Sequence, residues 1–165
     1  MKISEKFIAE INEEAEPTRR MLERIPPEKF DWKPHEKSMT LQQLSTLVAQ
    51  MFYWFGMMAE KDVLDFADGW EQPQVTSAAD LVKLLDDSVA ASVKVLSETD
   101  DAEYDRIWTM RHGERIFMEL AKGDVIRQSF RHLAHHRGQL SVYMRLLEIP
   151  VPSIYGPTAD ENTFM

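Results

Sequence analysis

The pattern of apolar and polar positions along the chain predicts four long helices and little other regular structure. Apolar residues recur at intervals of three and four over residues 4–24, 40–60, 77–96 and 123–147, which is the spacing that gives a helix one apolar face. Prolines follow the first and last of these segments, and Ser or Thr precedes the second and third, as is typical of helix ends. The pattern therefore predicts an all-α fold, a four-helix bundle.

The stretch before the last helix has a different pattern. The sequence IWTMRHGERIFMEL, residues 107–120, alternates weakly about His112 and Gly113, which predicts a short irregular or hairpin segment. The chain has no internal repeat, no low-complexity tract and no linker of the kind that separates domains. We therefore expect residues 1–165 to form a single domain.

Composition limits the chemistry that the chain can perform. The sequence has no cysteine, so a metal would have to be bound by histidine, carboxylates or water. No apolar run approaches the roughly 20 residues of a membrane span, and the start of the chain is too charged for a signal peptide. We therefore expect a cytoplasmic protein without a membrane partner.

Charge is distributed unevenly along the chain. A net charge of −9 argues against a nucleic-acid partner. Residues 121–147, however, carry five basic side chains against one acidic residue, Asp124. A basic helix in an acidic chain indicates pairing with neighbouring elements, or an anionic ligand, rather than DNA.

Three of the five histidines lie in HLAHHRGQL, residues 132–140. On a helix, His132 and His136 differ by about 40°, so both project from one face, whereas His135 is about 100° from His136 and is expected at the periphery. Such a pair is a usual way to offer two nitrogens to zinc or nickel. The alternative is a pair of core or interface histidines. A zinc-protease signature is excluded because Leu133 stands where its glutamate would be.

Two long runs, HHRGQLSVYMRLLEIPVPSIYGPTADE and WKPHEKSMTLQQLSTLVAQMFYWFGMM, resemble the DinB-like (DinB/YfiT) family of small bacterial helix bundles. The resemblance implies up-down-down-up helix order, a homodimer, and a metal held by one histidine of the second helix and an H-x-x-x-H of the fourth. His132 and His136 match that last motif. Characterised relatives are transferases or isomerases that use a low-molecular-weight thiol, such as bacillithiol or mycothiol, activated by the metal.

The chain departs from the family pattern in the second helix. The family's block usually reads T-L-x-E-L-x-x-H, and here Leu47 occupies the histidine position. Leucine cannot bind a metal, so the site is degenerate, with two protein nitrogens. Gln43, Gln50 and Met51 lie about one turn from Leu47 and offer only weaker ligands for zinc. We therefore expect zinc or nickel binding to be weak or absent.

These features leave two function hypotheses. The first is a metal-dependent enzyme of the thiol-dependent transferase or isomerase type with a degenerate metal site, whose substrate enters between the second and fourth helices beside residues 154–156. The alternative is a non-catalytic, dimeric small-molecule-binding or scaffold bundle without a metal. Metal content after purification would separate them.

Two further features predict close packing. The run FYWF, residues 52–55, covers most of its helix circumference, which favours a dimer interface over a ligand-binding shelf. Gly138 lies inside a predicted helix, where glycine is costly. We therefore expect another backbone to approach it closely.

Overall fold

The computed structural model describes residues 2–69 and 72–162. Helices α1 to α4 span Ile3–Leu22, Leu41–Glu60, Ala78–Glu98 and Lys122–Leu146, and strands β1 to β3 span Val63–Asp65, Ile107–His112 and Arg115–Ala121. The four helices expected from apolar periodicity are present, with ends close to the predicted ones. In these two ranges, no helix is both long enough and apolar enough to cross a membrane.

The prediction of an all-α fold is wrong, because the strands form one mixed sheet in the order β1-β2-β3. Strands β2 and β3 are antiparallel around a turn in which Gly113 has a φ of 56°, a conformation that glycine adopts easily. Strand β1 is parallel to β2. The sequence signal was weak because β1 has only three residues and a register irregularity between Met110 and Arg111 interrupts the alternation of β2.

Helix α2 is the central element of the fold. It begins with a capping box, in which the Thr40 side chain accepts a hydrogen bond from the Gln43 backbone N–H at 3.2 Å and the Gln43 side chain accepts one from the Thr40 N–H at 2.9 Å. This satisfies two backbone donors that a helix start leaves free. Beyond the cap, α2 is buried along most of its length and packs against both α3 and α4.

Helices α2 and α3 touch at Gly56 and Ser92. The Gly56 backbone N–H donates to the Ser92 hydroxyl at 2.8 Å, and that hydroxyl donates to the Phe52 carbonyl at 2.5 Å. A Cβ atom at Gly56 would lie 2.7 Å from the Ser92 Cα. By contrast, no described atom comes within 4 Å of a Cβ at Gly138. The close approach that we expected at Gly138 therefore occurs at Gly56.

Lys122 joins the start of α4 to the end of α2. Its side chain is only 1% exposed, and its ammonium group donates to the Ala59 carbonyl and the Asp62 carboxylate, both at 2.8 Å. The Lys122 hydrogen bond, together with nearby Arg106, holds the pKa of the Asp62 carboxyl below its usual range. This buried cation also faces the negative C-terminal end of α2, a favourable arrangement.

We expect Gly56→Ala to lower the free energy of unfolding by about 1–3 kcal/mol, because the added methyl group has no room against Ser92. Gly138→Ala is the matched control and should raise it by about 0.5–1 kcal/mol, since alanine favours a helix and meets no neighbour. Urea denaturation of both variants checks the pair. Equal midpoints would contradict the packing described here.

Candidate functional site

A cavity of about 660 Å³ lies between α2, α4 and one face of the sheet. Four methionines, Met57, Met58, Met110 and Met118, contribute to a mainly apolar wall. Its described polar lining groups are glutamines, Ser129, Arg131, His132 and two tryptophans, Trp54 and Trp108. The size and the mixture of apolar surface with a few polar groups are typical of small-molecule sites.

The two candidate metal-binding histidines lie side by side, and one of them, His132, lines this cavity. His132 lines the wall, and its Nε2 atom is 2.8 Å from Nε2 of His136. His136 Nδ1 is 2.8 Å from Oε1 of Gln139. Since an amide oxygen only accepts, His136 carries its proton on Nδ1, and His132 Nε2 donates to His136 Nε2. His132 and His135 are both exposed and His136 is half-buried, and of the three only His132 is among the described lining residues.

Leu47 lines the same cavity as His132. Of the replacements considered for the missing histidine, Gln43 is engaged in the α2 cap, and Met51 is fully buried in the core. Gln50 lines the cavity and is 8% exposed. Over residues 2–69 and 72–162, no group of three His, Cys, Asp or Glu side chains is arranged to bind a metal. Two imidazoles do not fit the donor set of an ordinary zinc site.

The segment near the end of the described chain lies away from the cavity. Residues 154–156 were expected to border the pocket, but none of them is among the described lining residues. The Tyr155 hydroxyl instead contacts the Glu14 carboxylate and the buried guanidinium of Arg137, which also donates to Thr18 at 2.9 Å. This network ties the end segment and α4 to α1.

The aromatic run of α2 is divided between the core and the cavity. Phe52 and Phe55 are fully buried and meet edge to face, with ring centroids 5.9 Å apart. Trp54 lines the cavity, and its ring centroid is 6.1 Å from that of His132. Tyr53 alone of the four is exposed, at 37%. The homodimer stays a prediction.

Sequence reasoning missed much of the cavity wall. Trp108, Met110 and Met118 come from the hairpin, where alternating residues face the helices. The weak alternation of residues 107–120 was the only available signal. Arg131, next to His132 on α4, was noted only as part of the local positive charge.

Burial lowers the pKa of both candidate histidines. For His132 the main cause is desolvation, to which the neighbouring His136 and His135 add. For His136 desolvation is again the largest cause, partly offset by the hydrogen bond to Gln139. Both rings therefore favour the neutral form more strongly than a free imidazole does.

We expect acid to destabilise the fold through this pair. Below about pH 6.5 the histidines of the unfolded chain bind protons more readily than the two rings of the folded protein do. The free energy of unfolding is therefore highest above that pH and decreases as the pH falls. The double variant His132→Gln/His136→Gln should lose less stability than wild type between about pH 7.5 and about pH 5.5. Urea denaturation in the presence of EDTA measures this. Parallel pH profiles for wild type and the double variant would contradict it.

The whole chain is similar to proteins of one family. A sequence model of the DinB family matches residues 1–163. An uncharacterized protein of Bacillus subtilis (strain 168), YrdA, is 28% identical over 153 residues, which is 90% of this chain and 85% of the relative.

Solved structures share the fold. A DinB-like protein from Bacillus subtilis has a TM-score of 0.70 at 17% identity, covering 96% of this chain and 99% of that one. A DinB-like protein from Bacillus cereus ATCC 10987 has a TM-score of 0.68 at 23% identity, covering 92% and 97%. Together with the match of the family model over residues 1–163, these likenesses lead to one conclusion: the chain belongs to the DinB family.

Proposed function

We propose that this DinB-family chain is a metal-independent small-molecule-binding protein whose ligand occupies the cavity between α2, α4 and the sheet. The observation that carries the proposal is Leu47, an apolar side chain in the wall of a cavity of about 660 Å³, at the position where the family resemblance implies a metal ligand. Its isobutyl group adds apolar surface where an imidazole would be needed to complete a metal site.

The histidine pair supports the same function. Each Nε2 atom has the other as its partner, and His136 Nδ1 has Gln139. These ring nitrogens are therefore satisfied by protein groups, and the fold needs no ion to compensate them. In this reading His132 is a polar group of the binding cavity.

The direct test is binding of a neutral apolar fluorescent probe, phenylnaphthylamine, to EDTA-treated protein. We expect saturable binding, because the cavity has room for two fused rings and an apolar wall to contact them. Leu47→Trp should abolish most of the binding by filling the cavity. Val142→Trp, on an exposed part of α4, is the matched control and should bind like wild type. Absence of binding to wild type, or equal binding by both tryptophan variants, would contradict the proposal.

A second candidate function, a metal-dependent enzyme of the thiol-dependent transferase type, is favoured by one observation. The Nε2 atoms of His132 and His136 lie 2.8 Å apart, and Nδ1 of His136 is hydrogen-bonded to the amide oxygen of Gln139. In many metal sites the second ring nitrogen of a histidine ligand is oriented by such a hydrogen bond. This function needs a third ligand that the described residues do not supply. The low-molecular-weight thiol and the homodimer also stay predictions.

Leu47→His separates the two candidates. The new imidazole should complete a three-histidine site with an open position, so zinc affinity measured by calorimetry should rise by orders of magnitude over wild type. Without metal, an unpaired buried ring should lower stability by about 1–3 kcal/mol, and zinc should restore it by preferential binding to the folded state.

Equal zinc affinity of wild type and Leu47→His would mean that Leu47 is not at the vacant ligand position. Tight wild-type binding that is lost in His132→Ala would favour the enzyme and overturn the metal-independent proposal. His135→Ala is the control and should leave zinc binding unchanged in both backgrounds.

A further inference from the structure

Part of the polar lining lies toward one end of the cavity, whereas Ser129 lies beside Met58 at the other. Helices α2 and α4 run antiparallel here, because Ser129 near the start of α4 contacts Met58 near the end of α2, while Tyr143 near the end of α4 reaches Met39 before α2. Gln50 and Trp54 therefore lie toward the same end of the cavity as His132. Met57, Met58 and Val125 lie toward the opposite end, next to the sheet.

The only formal charge in the described cavity wall is positive. Arg131 lines the cavity, and it makes no ion pair with any described residue. Neither Asp nor Glu is among the described lining residues, although the whole chain carries 28 acidic residues. A ligand cation would therefore find no counter-charge in this wall, whereas an anion would find a free guanidinium.

Two tryptophans of the described wall have indole nitrogens that lack a hydrogen-bond acceptor. The indole nitrogens of Trp54 and Trp108 are both buried, and neither has a hydrogen-bond partner among the described residues. Trp108 as a whole is 1% exposed. Because protein atoms cover both nitrogens, a ligand in the cavity contacts the two indole rings rather than their N–H groups.

From the unpaired arginine, the absence of carboxylates and the mainly apolar surface of the described wall, we infer that the cavity selects amphipathic organic anions. Such a ligand has a carboxylate or sulfonate that Arg131 binds, and an apolar body that extends toward the methionines and the sheet. This inference rests on the proposed binding function and adds the chemical class of the ligand.

Two probes with the same aromatic scaffold test this class. Phenylnaphthylamine is neutral, and anilinonaphthalene sulfonate adds one sulfonate to it. We expect wild type to bind the sulfonate about tenfold more tightly, with the difference shrinking as salt is added. Arg131→Gln should weaken binding of the sulfonate about threefold to tenfold and leave the affinity for the neutral probe unchanged.

Arg127→Gln is the matched control, since Arg127 is also an exposed arginine of α4 but does not line the cavity. It should change neither affinity by more than about twofold. The indole N–H resonances of Trp54 and Trp108, assigned with Trp54→Phe and Trp108→Phe, should shift on titration and so locate the probe in the cavity.

The outcomes separate this inference from the proposed function. Equal affinities for the two probes, or a sulfonate preference that Arg131→Gln leaves intact, would overturn the anion class while binding itself stands. If neither probe binds, both the anion class and the proposed binding function are overturned. A sulfonate effect of the same size in Arg127→Gln and Arg131→Gln would assign the preference to the general charge of α4 and overturn the role of Arg131.

Discussion

The buried ammonium group of Lys122 is the constraint on which the rest of the arrangement depends. It binds the last turn of α2 through the Ala59 carbonyl and the following segment through Asp62, and it is itself the first residue of α4. Strand β3 ends at the preceding residue. One cation therefore fixes α2, α4 and the sheet relative to one another. Because removing a buried charge's partners is expensive, these elements hold a common geometry, and the cavity is the space that they leave between them.

The other face of α2 is fixed by steric contact rather than by charge. Gly56 allows Ser92 of α3 to reach the α2 backbone, and the hydroxyl bonds with two main-chain groups there. With α3 packed so closely on one side, α2 cannot shift to close the space on the other. The cavity stays open against Leu47 and Trp54, and flexible methionine side chains line its far end, a composition suited to apolar ligands of different shapes.

The site combines one element inherited from the family pattern with one that departs from it. The His132 and His136 pair keeps the spacing that the family resemblance associates with metal binding, and the rings do converge. Leu47 stands where the family resemblance implies a third imidazole, and of the nearby glutamines Gln43 is engaged in a helix cap while Gln50 lines the cavity. The described wall of the cavity carries His132 and an arginine without an ion pair among the described residues, beside mainly apolar side chains.

The sequence by itself determined the four helices and the shared face of His132 and His136, because helical periodicity is a local property; that Leu47 stands at a ligand position is what the family resemblance implies. The weak alternation of residues 107–120 indicated a hairpin, but only tertiary structure decided that β1 joins it, since β1 gains its hydrogen bonds from a strand distant in the chain and a three-residue run carries no pattern of its own. It likewise decided that Gly56 rather than Gly138 is the close contact, and that Trp108, Met110 and Met118 join α2 and α4 around one cavity. These are contacts between remote segments, and remote contacts are set by packing, which no local pattern encodes.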